Sequence, residues 1–530
     1  MSRLISKAAV ILALILLPGL SAQAVDLDSL FVQSVGGPQA VDKLRQIQTV
    51  HTEGSVLFNG VPGTYESYFM APDRFYLETD LGQIRLIQAY DGAVAWQMDA
   101  NGFVSQLDGY ERRQLLDQIY FESYSYLLKD RLPGGAAYIG LTETNDTGYY
   151  EVAIYPLNLD TVHVYFDTAS AVVRKIVTKL DNLQMISTPT DYRETDGILM
   201  AYRTRTSAVG APVQVEMTMD SIRFDEPFDT TVFQMPRRQK QDYHFPANAD
   251  SVTIPFVFTN GHIYVRAVVN GKQKAWFILD SGASANVFNQ HLAKKLGLPV
   301  VGSTAAKGIG GYDKVALVET DSVVIGSLVL LNQVSGSLDL ELIGAQAPKS
   351  YAFGGVLGYD FLSRFPIKIN YYDSTMTVYD PKTFTLTDTS QAVPFTLTMN
   401  IPTIQAELNG IPGKYIVDLG NALGLIIHQK FAEEHNLEKK LADLRDMRGE
   451  FGGVGEAVGG KSAYAASFSF GDVRITDIRV IIPTSSQGLS GSSELAGNIG
   501  NLVLENFRVL FDYADRRLVF YPAEPAGDDE

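Results

Sequence analysis

The sequence predicts a mainly β protein, in which an N-terminal antiparallel sheet wrapped on helices is followed by two tandem β lobes. Short segments of alternating apolar and polar residues, typical of half-buried strands, recur along most of the chain. Glycine accounts for 46 of the 530 residues, which suits many turns better than long helices. Finally, residues 254–380 are repeated in pattern by residues 393–522, which indicates two copies of one fold.

Residues 1–24 have the pattern of a secretory signal. Arg3 and Lys7 precede an apolar run at residues 8–17, and a small-residue cleavage site follows. The run is shorter than the roughly 20 residues that a membrane-spanning helix needs. We therefore expect a chain that starts near Val25 and is exported to the periplasm or the exterior of a bacterium. A retained membrane anchor is the alternative.

Residues 25–236 combine two short helical patterns, many alternating segments, and one longer helical pattern at residues 112–130. Their motifs SVGGPQAVDKL, YFMAPDRFYLE, AYDGAVAWQ and DYRETDGILMAYR resemble the periplasmic lipoprotein-carrier fold. That resemblance implies an antiparallel half-barrel wrapped on helices, whose concave face holds acyl chains. A lipid or apolar ligand is thus one expectation for this domain, and a docking or folding domain with a filled core is the other.

Residues 237–250 are charged and polar, and we interpret them as a linker. The repeat then predicts a first lobe at residues 251–385 and a second, divergent lobe at residues 390–523, before an acidic tail at residues 524–530. Each copy opens with Pro-Phe and continues through a strand, an Asn-Gly turn and a second strand to Asp-x-Gly. A short amphipathic helix follows in each.

The Asp-x-Gly motif is Asp280-Ser281-Gly282 in the first copy, and an apolar strand leads into Gly358 further along. This pattern resembles the retropepsin-like and pepsin-like aspartic proteases over residues 250–522, about half of the chain. The resemblance implies two β-barrel lobes that each bring one aspartate to a shared site. There, two close carboxyl groups share one proton and activate a water molecule. The second copy keeps Asp418 and Gly420.

Leu419 departs from the family pattern, because a serine or threonine follows the aspartate in that pattern. The resemblance assigns the Ser281 hydroxyl the role of tying one active-site loop to the other, and Gly282 and Gly420 the role of supporting the loops. We expect the departure at Leu419 to loosen the site rather than to abolish its chemistry.

The sequence therefore predicts an exported aspartic endopeptidase, with Asp280 and Asp418 as the catalytic pair and a peptide or protein as the substrate. We expect a monomer. Two alternatives remain: a protease that pairs Asp280 from two first lobes of two chains, and a non-catalytic peptide- or lipid-binding protein with a degenerate protease fold.

A glycine-rich stretch at residues 307–314 lies where a flap over the substrate is expected, and its candidate residues are Gly310, Gly311 and Tyr312. Residues 448–461 are the corresponding stretch of the second lobe. A mobile turn is the alternative interpretation of either stretch.

Other classes of function find little support. The net charge of −17 argues against nucleic acid as a partner, and the absence of cysteine excludes thiol nucleophiles and thiolate metal sites. Residues 455–462 fit the phosphate-loop pattern, but an alternating strand pattern follows them where a helix is required. We predict no cofactor and no metal.

Overall fold

The structure is a computed structural model, in which the predicted signal segment and acidic tail lie outside the described residues. It describes residues 25–144, 146–237, 240–386, 392–447, 449–454 and 457–522. Strands dominate these residues, which confirms the predicted mainly β fold. In the same ranges, no helix has the length and apolar character needed to cross a membrane.

The described part of residues 27–224 forms one antiparallel sheet of thirteen strands. Its helices are α1 (Leu27–Ser34), α2 (Pro38–Gln46) and α3 (Gly109–Glu122). Its strands are β1 (Thr49–Phe58), β2 (Val61–Met70), β3 (Arg74–Asp80), β4 (Arg85–Tyr90), β5 (Ala95–Met98), β6 (Val104–Gln106), β7 (Gly134–Thr144), β8 (Thr147–Pro156), β9 (Val162–Asp167), β10 (Val173–Leu180), β11 (Leu183–Thr195), β12 (Ile198–Ala208) and β13 (Gln214–Phe224). The strand order is β6-β5-β4-β3-β2-β1-β13-β12-β11-β10-β9-β8-β7, in which β1 pairs with β13 at the centre. Strands β6 and β7 therefore form the two edges. We call this unit the N-terminal sheet.

The three helices pack against the N-terminal sheet through apolar side chains such as Phe31 and Leu44. The predicted helix at residues 112–130 is wrong at its carboxyl end, because α3 stops at Glu122. The Ser123 hydroxyl donates to the Tyr120 carbonyl, and the next residue has a left-handed φ of 54°. This local side-chain bond ends the helix although the apolar pattern continues.

Residues 243–379 comprise the end of the predicted linker and the first lobe. The strands are β14 (Tyr243–His244), β15 (Ser251–Thr259), β16 (His262–Val269), β17 (Gln273–Leu279), β18 (Val287–Asn289), β19 (Val300–Gly308), β20 (Gly311–Ile325), β21 (Leu328–Leu338), β22 (Ala352–Leu357), β23 (Ile367–Asn370) and β24 (Thr375–Tyr379). The helices are α4 (Gln290–Leu296), α5 (Glu341–Gly344) and α6 (Tyr359–Leu362). Strand β14 pairs with β21, so part of the segment interpreted as a linker is bound to the lobe.

The second lobe repeats this order of elements. Its strands are β25 (Ala392–Pro394), β26 (Thr396–Thr398), β27 (Ile401–Leu408), β28 (Ile411–Val417), β29 (Leu425–Ile427), β30 (Ala442–Asp446), β31 (Gly460–Phe470), β32 (Val473–Pro483), β33 (Gly497–Ile499), β34 (Phe507–Asp512) and β35 (Arg517–Pro522). Its helices are α7 (Gln429–Glu434) and α8 (Asn501–Leu504). Single 3₁₀ turns occupy Thr230–Phe233, Leu437–Lys439 and Gly488–Gly491.

The two lobes share a sheet, which fixes their relative position. Its strand order is β15-β24-β23-β34-β35-β25, with three strands from each lobe in mirrored order. At its centre β23 and β34 pair antiparallel, with Ile369 opposite Val509. Both of these side chains belong to one apolar core that extends through both lobes. The lobes are therefore one packed body with an internal two-fold repeat.

Candidate active site

Asp280 directly follows strand β17 and lies beside the end of strand β22. Strand β17 is apolar and buried from Ala275 to Leu279, and it lies parallel to β22. The Asp280 backbone N–H donates to the Leu357 carbonyl at the end of β22 (2.9 Å). The Gly282 N–H in turn donates to Asp280 Oδ1 (2.7 Å), which closes the loop around the carboxyl group.

The second lobe presents Asp418 in the same way. Strand β28 lies parallel to β33, and the Asp418 N–H donates to the Ile499 carbonyl (2.9 Å). The N–H groups of Gly420 and Asn421 donate to Asp418 Oδ1 (2.8 and 3.1 Å). The duplicated sequence pattern therefore corresponds to a duplicated loop geometry.

The two glycines allow these loops to approach each other closely. A Cβ atom on Gly282 would collide with the carboxylate of Asp418, and one on Gly420 would collide with the carboxyl group of Asp280. Each loop thus leaves room for the acidic side chain of the other. Any larger residue at either position would push the aspartates apart.

The carboxyl groups of Asp280 and Asp418 are hydrogen-bonded to each other within the single chain. Burial, together with the neighbouring charge of Asp418 and the hydrogen bond to it, raises the pKa of Asp280 well above its ordinary value. Two carboxyl groups in contact cannot both ionise cheaply, so the pair retains one proton, and Asp280 carries it.

Asn498 makes the surroundings of the two aspartates unequal. Its Nδ2 group donates to Asp418 Oδ2 (2.6 Å), and its Oδ1 accepts from Asn421 Nδ2 (3.1 Å). In the first lobe the equivalent strand position is the apolar Val356. An amide N–H favours the charged form of the carboxylate that accepts from it. Asp418 therefore has a side-chain amide donor where the first lobe has an apolar side chain.

The Ser281 side chain ties the backbones of the two loops together. Its fully buried hydroxyl donates to the Val417 carbonyl (2.7 Å) and accepts from the Leu419 N–H (3.0 Å). Leu419 offers no hydroxyl for the reciprocal bonds, and its side chain is fully buried in the core shared by the lobes. The hydroxyl-mediated hydrogen bonds between the loops therefore come from Ser281, and at the equivalent position of the second lobe the Leu419 side chain makes apolar contacts instead.

Sequence reasoning missed His262, whose ring lies near Asp418. Burial lowers the pKa of His262, although the Asp418 charge and the backbone of Asn260 and Gly420 act in the opposite direction. The ring is therefore neutral at neutral pH. Sequence reasoning also missed Asn498. A position-by-position comparison of β22 with β33 would have revealed it as an amide in an apolar strand.

The predicted flap residues lie at the tip of the hairpin formed by β19 and β20. The tip rests against the second lobe, where Gly308 meets the Val454 backbone and Gly488 meets the Gly308 carbonyl. The Tyr312 hydroxyl donates to Asn182 Oδ1 in the N-terminal sheet (3.4 Å). Gly310 lies in the turn, and Gly311 begins β20 opposite Gly308.

Among the described residues, two groups of side chains with metal-ligand chemistry lie outside this site. One comprises His51, Glu53 and Glu66, and Arg223 already binds both His51 (2.8 Å) and Glu53 (3.0 Å). The other is exposed on the first lobe and comprises His291, Asp339 and Glu341. The phosphate-loop pattern runs directly into β31, a strand where a phosphate site needs a helix.

The comparison with family models matches residues 265–361 to the family described as Aspartyl protease. The matched range includes Asp280 and extends to α6. It confirms the resemblance inferred from the Asp-Ser-Gly motif. The comparison with curated proteins gives no match.

Similar solved structures include both classes named from the sequence. An aspartic proteinase from Irpex lacteus is 12% identical, with 52% of this chain and 99% of that chain covered and a TM-score of 0.35. A LolA superfamily protein from Nitrosomonas europaea is 9% identical, with coverages of 40% and 98% and a TM-score of 0.28. A DUF1329 family protein from Desulfovibrio piger is 11% identical, with coverages of 39% and 95% and a TM-score of 0.29. The match to the aspartyl protease family model lies in the first lobe, and it is the finding that relates this chain to aspartic proteases.

Proposed function

We propose that this protein is an exported aspartic endopeptidase whose catalytic pair, Asp280 and Asp418, comes from the two lobes of one chain. The contact between the two carboxyl groups within a monomer carries the proposal. It favours the intramolecular pair over a site assembled from two first lobes. Export is the part of the proposal that rests on the pattern of residues 1–24.

The unequal surroundings of the aspartates assign their roles. The Asp418 carboxylate, which accepts from Asn498, removes a proton from the attacking water. Asp280, which holds the shared proton, donates it to the carbonyl oxygen of the scissile bond as the tetrahedral intermediate forms.

The test compares wild type with Asp280→Asn and Asp418→Asn on an unstructured protein substrate across acidic to neutral pH. We expect each variant to lose on the order of 10²–10⁴-fold in kcat/KM, because each removes one of the two proton-transfer groups. The exposed flap variant Asp313→Asn is the control and should keep wild-type activity. Full activity of Asp418→Asn would exclude the intramolecular pair.

A second candidate function belongs to the N-terminal sheet, where bound lipid is the proposed ligand. Large apolar side chains on and beside β7 and β8 are 44–60% exposed; they are Ile139, Leu141, Tyr155 and Leu157. Exposed apolar clusters of this kind mark surfaces that bind apolar partners. Lipid detected by native mass spectrometry in protein purified from a membrane-containing lysate would support this function, and its consistent absence would oppose it.

A further inference from the structure

The proposed substrate cleft runs along the boundary between the two lobes, past Asp280 and Asp418, and four segments meet at one end of it, which we call a mouth. Asn400 at the β26–β27 turn donates to the Ser284 carbonyl, which belongs to the loop after Asp280 (3.5 Å). The loop at Gly488 lies against the flap tip, and Leu489 packs in one apolar cluster with Met399. We call the border formed by Ser284, Lys307, Asn400 and Gly488 the second-lobe mouth.

The turn between β10 and β11 of the N-terminal sheet lies in this mouth. Asp181 pairs with Lys307 on the flap (2.8 Å), and both side chains are only 9% exposed. Asp181 also accepts from the Ser493 N–H (2.8 Å). Asn182 accepts from Lys307 (2.7 Å) and donates to the Gly488 carbonyl (2.8 Å). The turn therefore bridges the flap and the second-lobe loop with buried polar contacts.

Helix α3 and strand β5 reach the same mouth from the other side. Glu111 accepts from the Met399 N–H, and Gln97 donates to Asn400 Oδ1 (3.3 Å). Arg113 pairs with Glu494, next to the residue that binds Asp181 (2.8 Å). Three separate segments of the N-terminal sheet thus contact the border of one mouth.

The N-terminal sheet is held in this position by buried contacts with the first lobe. Asn101 is 3% exposed, and its amide exchanges hydrogen bonds with the backbone of Val334 (3.1 and 2.8 Å) and donates to Asp360 (3.2 Å). Undocking would break all three of these buried bonds at once, because Asn101 and its partners lie on opposite sides of the contact between the sheet and the lobe. The sheet is therefore a fixed wall of the cleft in the folded chain.

The two-fold repeat places an equivalent mouth at the other end of the cleft. There Asn260, the counterpart of Asn400, donates to the Gln346 carbonyl of the first lobe in an exposed position (3.3 Å). Gly261 packs against the backbone of Ala422 in the loop after Asp418. At both mouths the bordering segments contact each other, and at the second-lobe mouth they also contact the N-terminal sheet.

We infer that the N-terminal sheet closes the second-lobe mouth, so that a substrate peptide enters through the first-lobe mouth and its end stops at the 181–182 turn. This inference rests on the proposed function. An extended peptide must pass both mouths if it is to be cut in its middle. The enzyme therefore cleaves bonds that lie within a few residues of one end of an unstructured chain.

The experiment follows the first products released from a long unstructured peptide by mass spectrometry over time. Three forms of the peptide are used: free, with a folded domain fused to its N-terminus, and with a folded domain fused to its C-terminus. We expect short products from one end only, and a roughly tenfold or greater loss of rate when that end carries the folded domain. Middle cleavage that is insensitive to both fusions would overturn the inference.

The double variant Asp181→Ala/Asn182→Ala removes the polar bridge across the mouth and should shift early products toward the middle of the peptide. The matched control is Asp191→Ala, because Asp191 has the same left-handed backbone (φ 53° against 58°) but pairs with Arg193 on the surface. An identical product pattern in both variants would overturn the inference. If the folded wild-type protein cleaves none of the three peptides, the proposed function fails, and the inference fails with it; cleavage in the middle alone would leave the proposed function intact.

Discussion

The two lobes present their aspartates with the same backbone and with different side chains. In each lobe a strand ends at the aspartate, a parallel strand accepts its N–H, and the glycine two residues on donates to the carboxyl group. The first lobe adds the Ser281 hydroxyl, and the second adds the Asn498 amide. The difference is that the polar side chain of the first lobe binds the backbone of the opposite loop, whereas that of the second lobe binds the aspartate of its own lobe.

The local polarity of each copy differs accordingly. In the first lobe the position equivalent to Asn498 is Val356, and burial together with the charge of Asp418 raises the pKa of Asp280. Asp418 accepts from Asn498, whose own amide is oriented by Asn421. Under the proposed function, this difference in surroundings assigns the proton to Asp280 and the proton-accepting role to Asp418.

The largest expected effect comes from making the second lobe resemble the first by Leu419→Ser. We expect this change to destabilise the protein by about 2–4 kcal/mol, because it removes a fully buried side chain from the shared core and introduces a hydroxyl there. Urea unfolding followed by circular dichroism measures the effect, and Leu419→Met is the control of similar volume. A stable and more active Leu419→Ser variant would contradict this prediction. It would show that a hydroxyl at position 419 stabilises the site more than the buried leucine side chain does.

Removing the tie from the first lobe by Ser281→Ala should have the next largest effect. It leaves the Val417 carbonyl and the Leu419 N–H without a buried partner, which costs about 1–3 kcal/mol. We expect a loss of stability of this size together with a lower kcat, since the two loops are no longer held in register. Ser284→Ala, at an exposed position in the same loop, should leave both quantities unchanged. Equal behaviour of the two variants would contradict the role of the tie.

Asn498→Val gives the second lobe the residue of the first and tests the charge asymmetry. Loss of a hydrogen bond to a charged group costs about 1.5–3 kcal/mol, so kcat/KM should fall roughly tenfold or more. The acid limb of the pH–rate profile should also move to higher pH, because the charged form of the pair is less stabilised. The surface variant Asn506→Val is the control. An acid limb at the wild-type pH would show that Asn498 does not stabilise the charged form of the pair.

These comparisons also show what the sequence predicts and what it leaves open. The repeat was sufficient to predict the strands, both aspartates and the two glycines, because backbone geometry repeats with apolar pattern and glycine position. Asn498 was not singled out, although the repeat aligns Gly-Asn-Ile-Gly at 497–500 with Gly-Val-Leu-Gly at 355–358, because an apolar strand pattern gives no reason to expect that a single amide contacts the aspartate. Nor could the repeat place Asn182 beside Tyr312, since 130 residues separate them and only tertiary packing brings them together.

The smallest predicted effect concerns stability rather than rate, and it tests where the proton resides. The unfolded chain releases the Asp280 proton near the ordinary pKa of 3.8, whereas the folded chain retains it to a higher pH. Between these values unfolding releases a proton, so the contribution of Asp280 to stability becomes less favourable as pH rises. The amide in Asp280→Asn cannot ionise, so this variant does not lose stability with rising pH through residue 280.

The melting temperature of Asp280→Asn should therefore equal that of wild type at a pH near the ordinary value and exceed it increasingly as the pH rises. We expect a gain on the order of 1 kcal/mol near neutral pH, the size often seen when a strained active-site group is removed. Asp313→Asn, an exposed aspartate on the flap, should show no such divergence. A gap that stays constant with pH would mean that Asp280 is ionised in the folded protein, and the proton-donor role would then have to pass to Asp418.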